Sequence, residues 1–506
     1  MLCVFIHNMS FIRKIRKGKY IYLAEVEGKR VNGKVIQKHI RYIGRELNGK
    51  VIKSGSIENM EVTKVTTWAP LLVLDTLAKQ IHLSEILGDY GEYLLSLAYA
   101  HCLEPKSVNR MEDWYERTDL HNMLNIKEVS EKKLYYAMDS VTEKNSDLIQ
   151  KKIFNSVKHV HKLKPKGYFF DVTNVYFYGT ECPIAKKGHN KEGGNKPQVQ
   201  IGLAVTEEEG IPIFHKTFEG NIFDSKIMRD MMMMFHDLNI KDVFMVWDRG
   251  ITSEENIIDA KHVGFEVICG LAIKQNVKKH VDKIMKNEYF LNLKNRVRLK
   301  KTILYCLKQN YKHGKINGHI IVCFNEETAR LNKEKRIDYI YKAKELLKKN
   351  KPISEDIKKY FKENKIDEEA ILEAQKYDGY SALFSTKDLE IEKIVKHYFE
   401  KDKVEKAFRS LKSILGLRPI KHWLEERVKA HVFICYLSYL LISLLESKLI
   451  SKNISAITAL DKLSTAYKVH IKNKRLKKEF TKTVTLTKEQ EKIMKAVDKK
   501  ILKCCV

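Results

Sequence analysis

The chain reads as an α/β protein: a partly antiparallel sheet flanked by helices, preceded by a β-rich and then a helical region. Two patterns predict this. Short apolar runs bounded by turn residues recur from Gly167 to Cys269, with helical spacing between them. A later run, Glu425 to Ile450, is apolar enough to be a central buried helix.

Residues 1–65 carry two strand-like runs, Tyr20 to Val26 and Val35 to Ile43, joined by a turn around Gly28 to Gly33. Residues 66–160 switch to helical spacing, as in Leu71 to Leu74 with Leu77 and Tyr93 to Leu95 with Leu97. Residues 161–272 return to strands. Gly167 to Thr173 is a short buried strand ending in Asp171, and Val175 to Tyr178 and Val199 to Val205 follow. Glu207 to Gly210 makes the turn into Ile211 to Phe218, and Asp224 caps a methionine-rich helix. Val243 to Asp248 is another buried strand ending in a carboxylate. Ser253 caps the next helix, and Phe265 to Cys269 is one more strand. Residues 273–376 break the rhythm with a basic inserted tract. It holds two strands, Thr302 to Leu307 and His319 to Phe324, and then charged helices from Glu326 to Gln375. Residues 377–450 resume the core through Tyr380 to Phe384, a charged helix and the central apolar one. Residues 451–506 read as a basic helical tail.

The 506 residues, 44% hydrophobic and 31% charged, exclude a disordered chain. A net charge of +29 repels itself unless a polyanion shares the surface, and nucleic acid is the leading candidate. The nine cysteines lack CxxC or Cys/His ligand spacing, which argues against a zinc module and for reduced thiols in a cytoplasm. Met1 to Phe11 lacks the charged start and small-residue cleavage site of a signal peptide. The apolar run Val432 to Leu445 is too short to span a bilayer.

On a 3.6-residue period Tyr398, Lys401, Glu405 and Lys412 share one arc of the charged helix, beside an apolar stripe of Val404, Phe408, Leu411 and Leu415. Asp171 and Asp248 each end an apolar strand, where a carboxylate is costly unless paired, hydrogen-bonded or metal-bound. If those strands are neighbours, the two carboxylates converge and demand a cation. Hard oxygen ligands in a site that also admits phosphate suit Mg²⁺ or Mn²⁺ rather than Zn²⁺.

The string Tyr398-x2-Lys401-x3-Glu405-x6-Lys412, with Asp171 in Phe169-Phe170-Asp171-Val172-Thr173 and Asp248 in Val246-Trp247-Asp248-Arg249-Gly250, resembles a known signature. It is similar to the Y-x2-R-x3-E-x6-K pattern of bacterial insertion-sequence transposases of the DDE type. The resemblance covers roughly residues 165–450 and implies an RNase H-like core with an insertion between the second Asp and the Glu. It implies that Asp171, Asp248 and Glu405 are catalytic and hold two Mg²⁺ or Mn²⁺ ions. Tyr398, Lys401, Lys412, Arg249 and Arg409 would contact DNA. The implied activity is hydrolysis at terminal inverted repeats and joining of the freed 3′-OH to target DNA, by a homodimer on the nucleoid, with residues 1–160 binding the ends. Lys401 departs from the family's Arg, keeping the charge but losing the planar fork.

Two other readings remain open: an RNase H-like nuclease or resolvase without strand transfer, and a catalytically idle DNA-binding remnant. Thr173 and Asn174 either bond a ligand or serve turn chemistry. Trp423, after His422, either stacks on a base or anchors a core. The basic loop Lys186 to Lys196 either tracks DNA or is a solvated hairpin tip.

Overall fold

The structure, a computed structural model, describes residues 10–31, 34–47, 49–52, 60–126, 128–177, 181–188, 196–222, 224–238, 240, 244–299, 302–474 and 478–502. It divides into two compact units, Met1–Ala69 with Ser464–Thr487, and Pro70–Leu463 with Lys488–Val506.

The regular elements described in the smaller unit are strands. Strands Ser10–Lys17, Tyr20–Val31, Lys34–Leu47 and Lys50–Ile52 form an antiparallel meander. Both expected N-terminal runs are strands, but the first continues through Gly28 to Val31; Asn32 and Gly33 of the expected turn lie outside the described residues. A second sheet places Tyr467–Asn473 between Lys478–Thr483 and Met60–Thr67. The tail expected to be helical therefore contains two strands. Tyr467, Val469 and Ile471 alternate with Lys468, His470 and Lys472, a period of two that the lysine-rich composition obscured.

The larger unit holds a nine-stranded sheet. Its strands are β1 (Gly167–Tyr176), β2 (Gln198–Thr206), β3 (Pro212–Glu219), β4 (Phe244–Trp247), β5 (Glu266–Leu271), β6 (Arg296–Arg298), β7 (Ile303–His313), β8 (Ile316–Phe324) and β9 (Tyr380–Ser385). The order across the sheet is β6-β7-β8-β9-β5-β4-β1-β2-β3. The central strands β1, β4 and β5 are parallel, and antiparallel hairpins continue the sheet on either side. The inserted tract is thus not set apart from the sheet: β6, β7 and β8 extend it through β9, whereas the helix Gln275–Met285, the charged helix α3 (Glu326–Lys348) and the segments that follow α3 are not part of it.

Two crossover helices, α1 (Asp224–Asp237) and α2 (Glu254–His262), connect β3 to β4 and β4 to β5. Ser253 Oγ caps α2 by accepting from the Asn256 amide, as the sequence predicts. Phe170, Met231, Phe235, Trp247 and Phe265 form one core under these helices, so Met228, Met231, Met232 and Met234 are core filler, while Met233 is exposed. The helix α6 (Glu425–Leu449) is packed against Gly91–Leu103 and β3. The Tyr436 hydroxyl donates to the Ile213 carbonyl at 2.9 Å. This helix is long and apolar enough to cross a membrane, but 94% of its most apolar window is buried in the protein, which makes it a core helix.

Burial has a pH consequence. His215 on β3 lies under Phe433 and Tyr436, and burial pushes its pKa down to about 3. Burial likewise brings His161 and His422 to about 4. Between those values and the ordinary 6.5 the unfolded chain binds the extra protons, so stability falls as pH drops through that window. His215 and His422, the more deeply buried two, should each cost roughly 2–3 kcal/mol at about pH 4.5. Thermal denaturation at pH 7 and pH 4.5 checks this, and His215→Phe should flatten the acid slope.

Candidate active site

Asp171 and Asp248 come from adjacent parallel strands. The last shared pair of β1 and β4 is Phe169 with Val246, and each aspartate lies two positions further on. Asp248 follows the end of β4, as the sequence predicts. Asp171 differs from expectation. It does not end its strand, because β2 pairs with β1 all the way to Tyr176, absorbing the run expected as a separate strand. Asp171 is instead half-buried in a strand that outruns β4, in a step at the edge of the parallel centre.

The charged helix is also two. The helix α4 (Ile391–Phe399) ends at Glu400 and Lys401, and α5 (Asp402–Ser413) begins after a tighter turn closed by Lys401 N to Tyr398 O and Lys403 N to Glu400 O. The two helices cover different strands: α4 packs on β4 and β5, α5 on β1 and β2. Tyr398, Lys401, Glu405 and Lys412 therefore do not share one face. No breaker residue marks the break. It is held by Glu207, whose carboxylate bonds His397 on α4 and whose carbonyl accepts from Lys403 on α5. Sequence reasoning dismissed Glu207 as a turn residue, yet it is 6% exposed. It stands at the Gly167 end of β1, four residues or roughly 13 Å from Asp171, too far to join the same site.

Asp248 Oδ1 is the hub of the cluster. Lys401 Nζ lies 3.1 Å away, the Tyr398 hydroxyl donates at 3.1 Å, and the Arg249 amide donates at 2.8 Å. Burial opposes its charge, but the Lys401 ammonium and these donors hold the carboxyl below the ordinary aspartate range. Burial, and then the Asp248 charge, push the Tyr398 hydroxyl above the ordinary tyrosine value, so it stays protonated and donates. Lys401 Nζ also sits 4.9 Å from the Tyr398 ring centre. On α5, Lys412 Nζ bonds Thr173 Oγ1, two positions beyond Asp171 on the same face of β1. Glu405 and Arg409 are solvent-exposed on α5, and Arg249 is exposed beside Asp248.

One residue without any sequence signal completes this geometry. A Cβ on Gly270 of β5 would lie 2.5 Å from the Tyr398 hydroxyl and 3.3 Å from Arg249 Cβ. Gly270→Ala should displace Tyr398 from Asp248 and lower stability by about 1.5–3 kcal/mol, the worth of one hydrogen bond to a charge. Adding Gly270→Ala to a Tyr398→Phe protein should then change stability little, and a double-mutant cycle of denaturation midpoints measures that coupling.

Among the described residues, no three carboxylate, imidazole or thiol groups stand close enough to hold one metal ion together. The donor chemistry nonetheless suits a hard divalent cation, with two aspartates on neighbouring strands and Glu405 on a helix packed against one of them. His189 to Asn195 of the basic loop lie outside the described residues.

Two aspartates thus stand on neighbouring parallel strands of a mixed sheet, with a basic helix packed on the strand of Asp171. The chain belongs to the transposase DDE domain family, whose model matches residues 162–441. Among solved structures it is similar to piggyBac transposase in a synaptic complex with hairpin DNA. The two share 10% identity and a TM-score of 0.40 over 78% of this chain and 79% of that one. No curated protein matches the chain. Membership makes the chain a DDE transposase, in a family of metal-dependent enzymes that cut DNA.

Proposed function

We propose that this chain is an insertion-sequence transposase with an RNase H-like core, in which Asp171, Asp248 and Glu405 are the catalytic carboxylates. The observation that carries this reading is the placement of Asp171 and Asp248 on neighbouring parallel strands, each two positions past their last shared pair. The strand order β3-β2-β1-β4-β5, antiparallel and then parallel, supports the RNase H-like assignment. The helix of Glu405 packs on the strand of Asp171, which supports its inclusion.

Asp171, Asp248 and Glu405 would hold Mg²⁺ or Mn²⁺, which when bound supplies an activated water or 3′-hydroxyl and neutralises charge on the leaving oxygen. The protein's residues do the positioning. Lys401 neutralises Asp248, and Tyr398 fixes the carboxylate's orientation. Lys412, held on Thr173, presents a positive charge alongside β1 for the DNA backbone, with Arg249 and Arg409 exposed nearby. The substrate is the terminal inverted repeats of the element, and the product is a 3′-OH end joined to target DNA. Synapsis of two ends calls for a homodimer on the nucleoid, with residues 1–160 reading the ends.

The test is a plasmid carrying the gene's own flanking ends, incubated with the protein and Mg²⁺. Release of the segment and its recovery in a second plasmid supports the reading. Cleavage without joining would make the chain a nuclease or resolvase. DNA binding without cleavage would make it an idle remnant.

A further inference from the structure

The loop from Gly416 to Leu424, between α5 and α6, holds the feature that the site so far leaves unused. Trp423 is 63% exposed, whereas Trp68, Trp114 and Trp247, the chain's other tryptophans, are at most 4% exposed. Its exposure has a local cause. His422 turns inward, with ring centres 5.6 Å from His431 and 6.1 Å from Tyr135 edge-on, and burial keeps it neutral. The preceding Ile420 is buried and bridges Phe177, just past the end of β1. With Ile420 and His422 anchored, the indole is left on the surface beside exposed Lys421 and Leu424.

A groove of about 680 Å³ runs along this loop, lined by Phe177, Arg418, Lys421 and Trp423. That is within the roughly 300–1,000 Å³ of small-ligand sites. Cations recur between the aspartates and this loop: Lys401 at Asp248, Lys412 at Thr173 on β1, and Arg418 and Lys421 in the groove that Phe177, next after β1, also lines.

We propose that Trp423 is a stacking platform for an unpaired base of the DNA strand engaged at the aspartates, with Lys421 and Arg418 against its phosphate. The proposal rests on the transposase reading above. A base paired inside a duplex has both faces covered by its neighbours, so away from the last pair of a blunt end only an unpaired nucleotide can lie on a free indole, whereas cations serve either form.

The test uses the full-length chain and its tryptophan fluorescence, assigned to Trp423 by subtracting a Trp423→Phe protein. The probes are a blunt duplex and the same duplex carrying a short unpaired 3′ extension. The extended duplex should quench Trp423 and shield it from acrylamide several-fold more than the blunt one, which offers only the open face of its last pair. Trp423→Ala should bind the extended duplex roughly ten-fold more weakly, with blunt-duplex affinity unchanged. Equal quenching by both duplexes overturns the platform, as does unchanged affinity of Trp423→Ala for the extension. A Trp423→Ala protein that loses self-association instead makes the groove a contact between copies and overturns it too. Failure to bind either duplex would sink the transposase reading along with it.

Discussion

An Asp248→Ala protein is expected to lose DNA cleavage by at least about a thousand-fold while still binding duplex DNA. The loss follows from the position of Asp248, which ends β4 beside Asp171 and gathers Lys401, Tyr398 and the Arg249 amide on one oxygen. Removing it also strands Lys401, whose side chain is only 17% exposed, without its counter-charge. Asp248→Asn separates the two effects. It keeps an oxygen for the same donors, so its melting temperature should stay closer to wild type while cleavage falls as far as in the alanine variant. Cleavage of a donor plasmid in Mg²⁺, read beside circular dichroism melting, checks both. Cleavage that survives in either variant would remove Asp248 from the catalytic set.

Leu440→Ala should produce the largest loss of stability, about 2–5 kcal/mol. Leu440 is fully buried in α6, where almost every residue from Val428 to Leu445 is buried whichever way it points. The helix meets Gly91–Leu103, β3 and α5, so a cavity there has neighbours on several sides that cannot all close in. The midpoint of the urea transition should drop with little change in its slope. A shift below about 0.5 kcal/mol would mean the helix is not the centre of its unit.

Much of this was legible in the chain. Val243 to Asp248 reads as a buried strand delivering a carboxylate because five apolar residues before an aspartate leave few other foldings. The capped helix after Ser253 and the apolar run at Glu425 were equally plain. Other features were not. Asp171 reads as a strand end because its own strand turns polar there, whereas the partner that keeps β1 extended, Gln198 to Thr206, is a separate segment. Tyr398 to Lys412 reads as one helix because no glycine or proline interrupts it, and the turn at Glu400 depends on Glu207, nearly two hundred residues away in sequence. Gly270 carries no signal, since what matters is the hydroxyl that would strike its Cβ.

The sequence by itself determined which residue types were present, their local periods and their charge: two aspartates behind apolar runs, a basic helix with Glu405, and a surface built for a polyanion. Those are properties of neighbouring residues, and propensity and hydrophobic spacing fix them. Only the tertiary structure decided which charges meet. It assigned Lys401 and Tyr398 to Asp248, Lys412 to Thr173 and His397 to Glu207, and it left Trp423 outside. The reason is physical: electrostatic and hydrogen-bond energies depend on distances of a few ångströms between groups far apart in the chain, and strand pairing and helix packing set those distances.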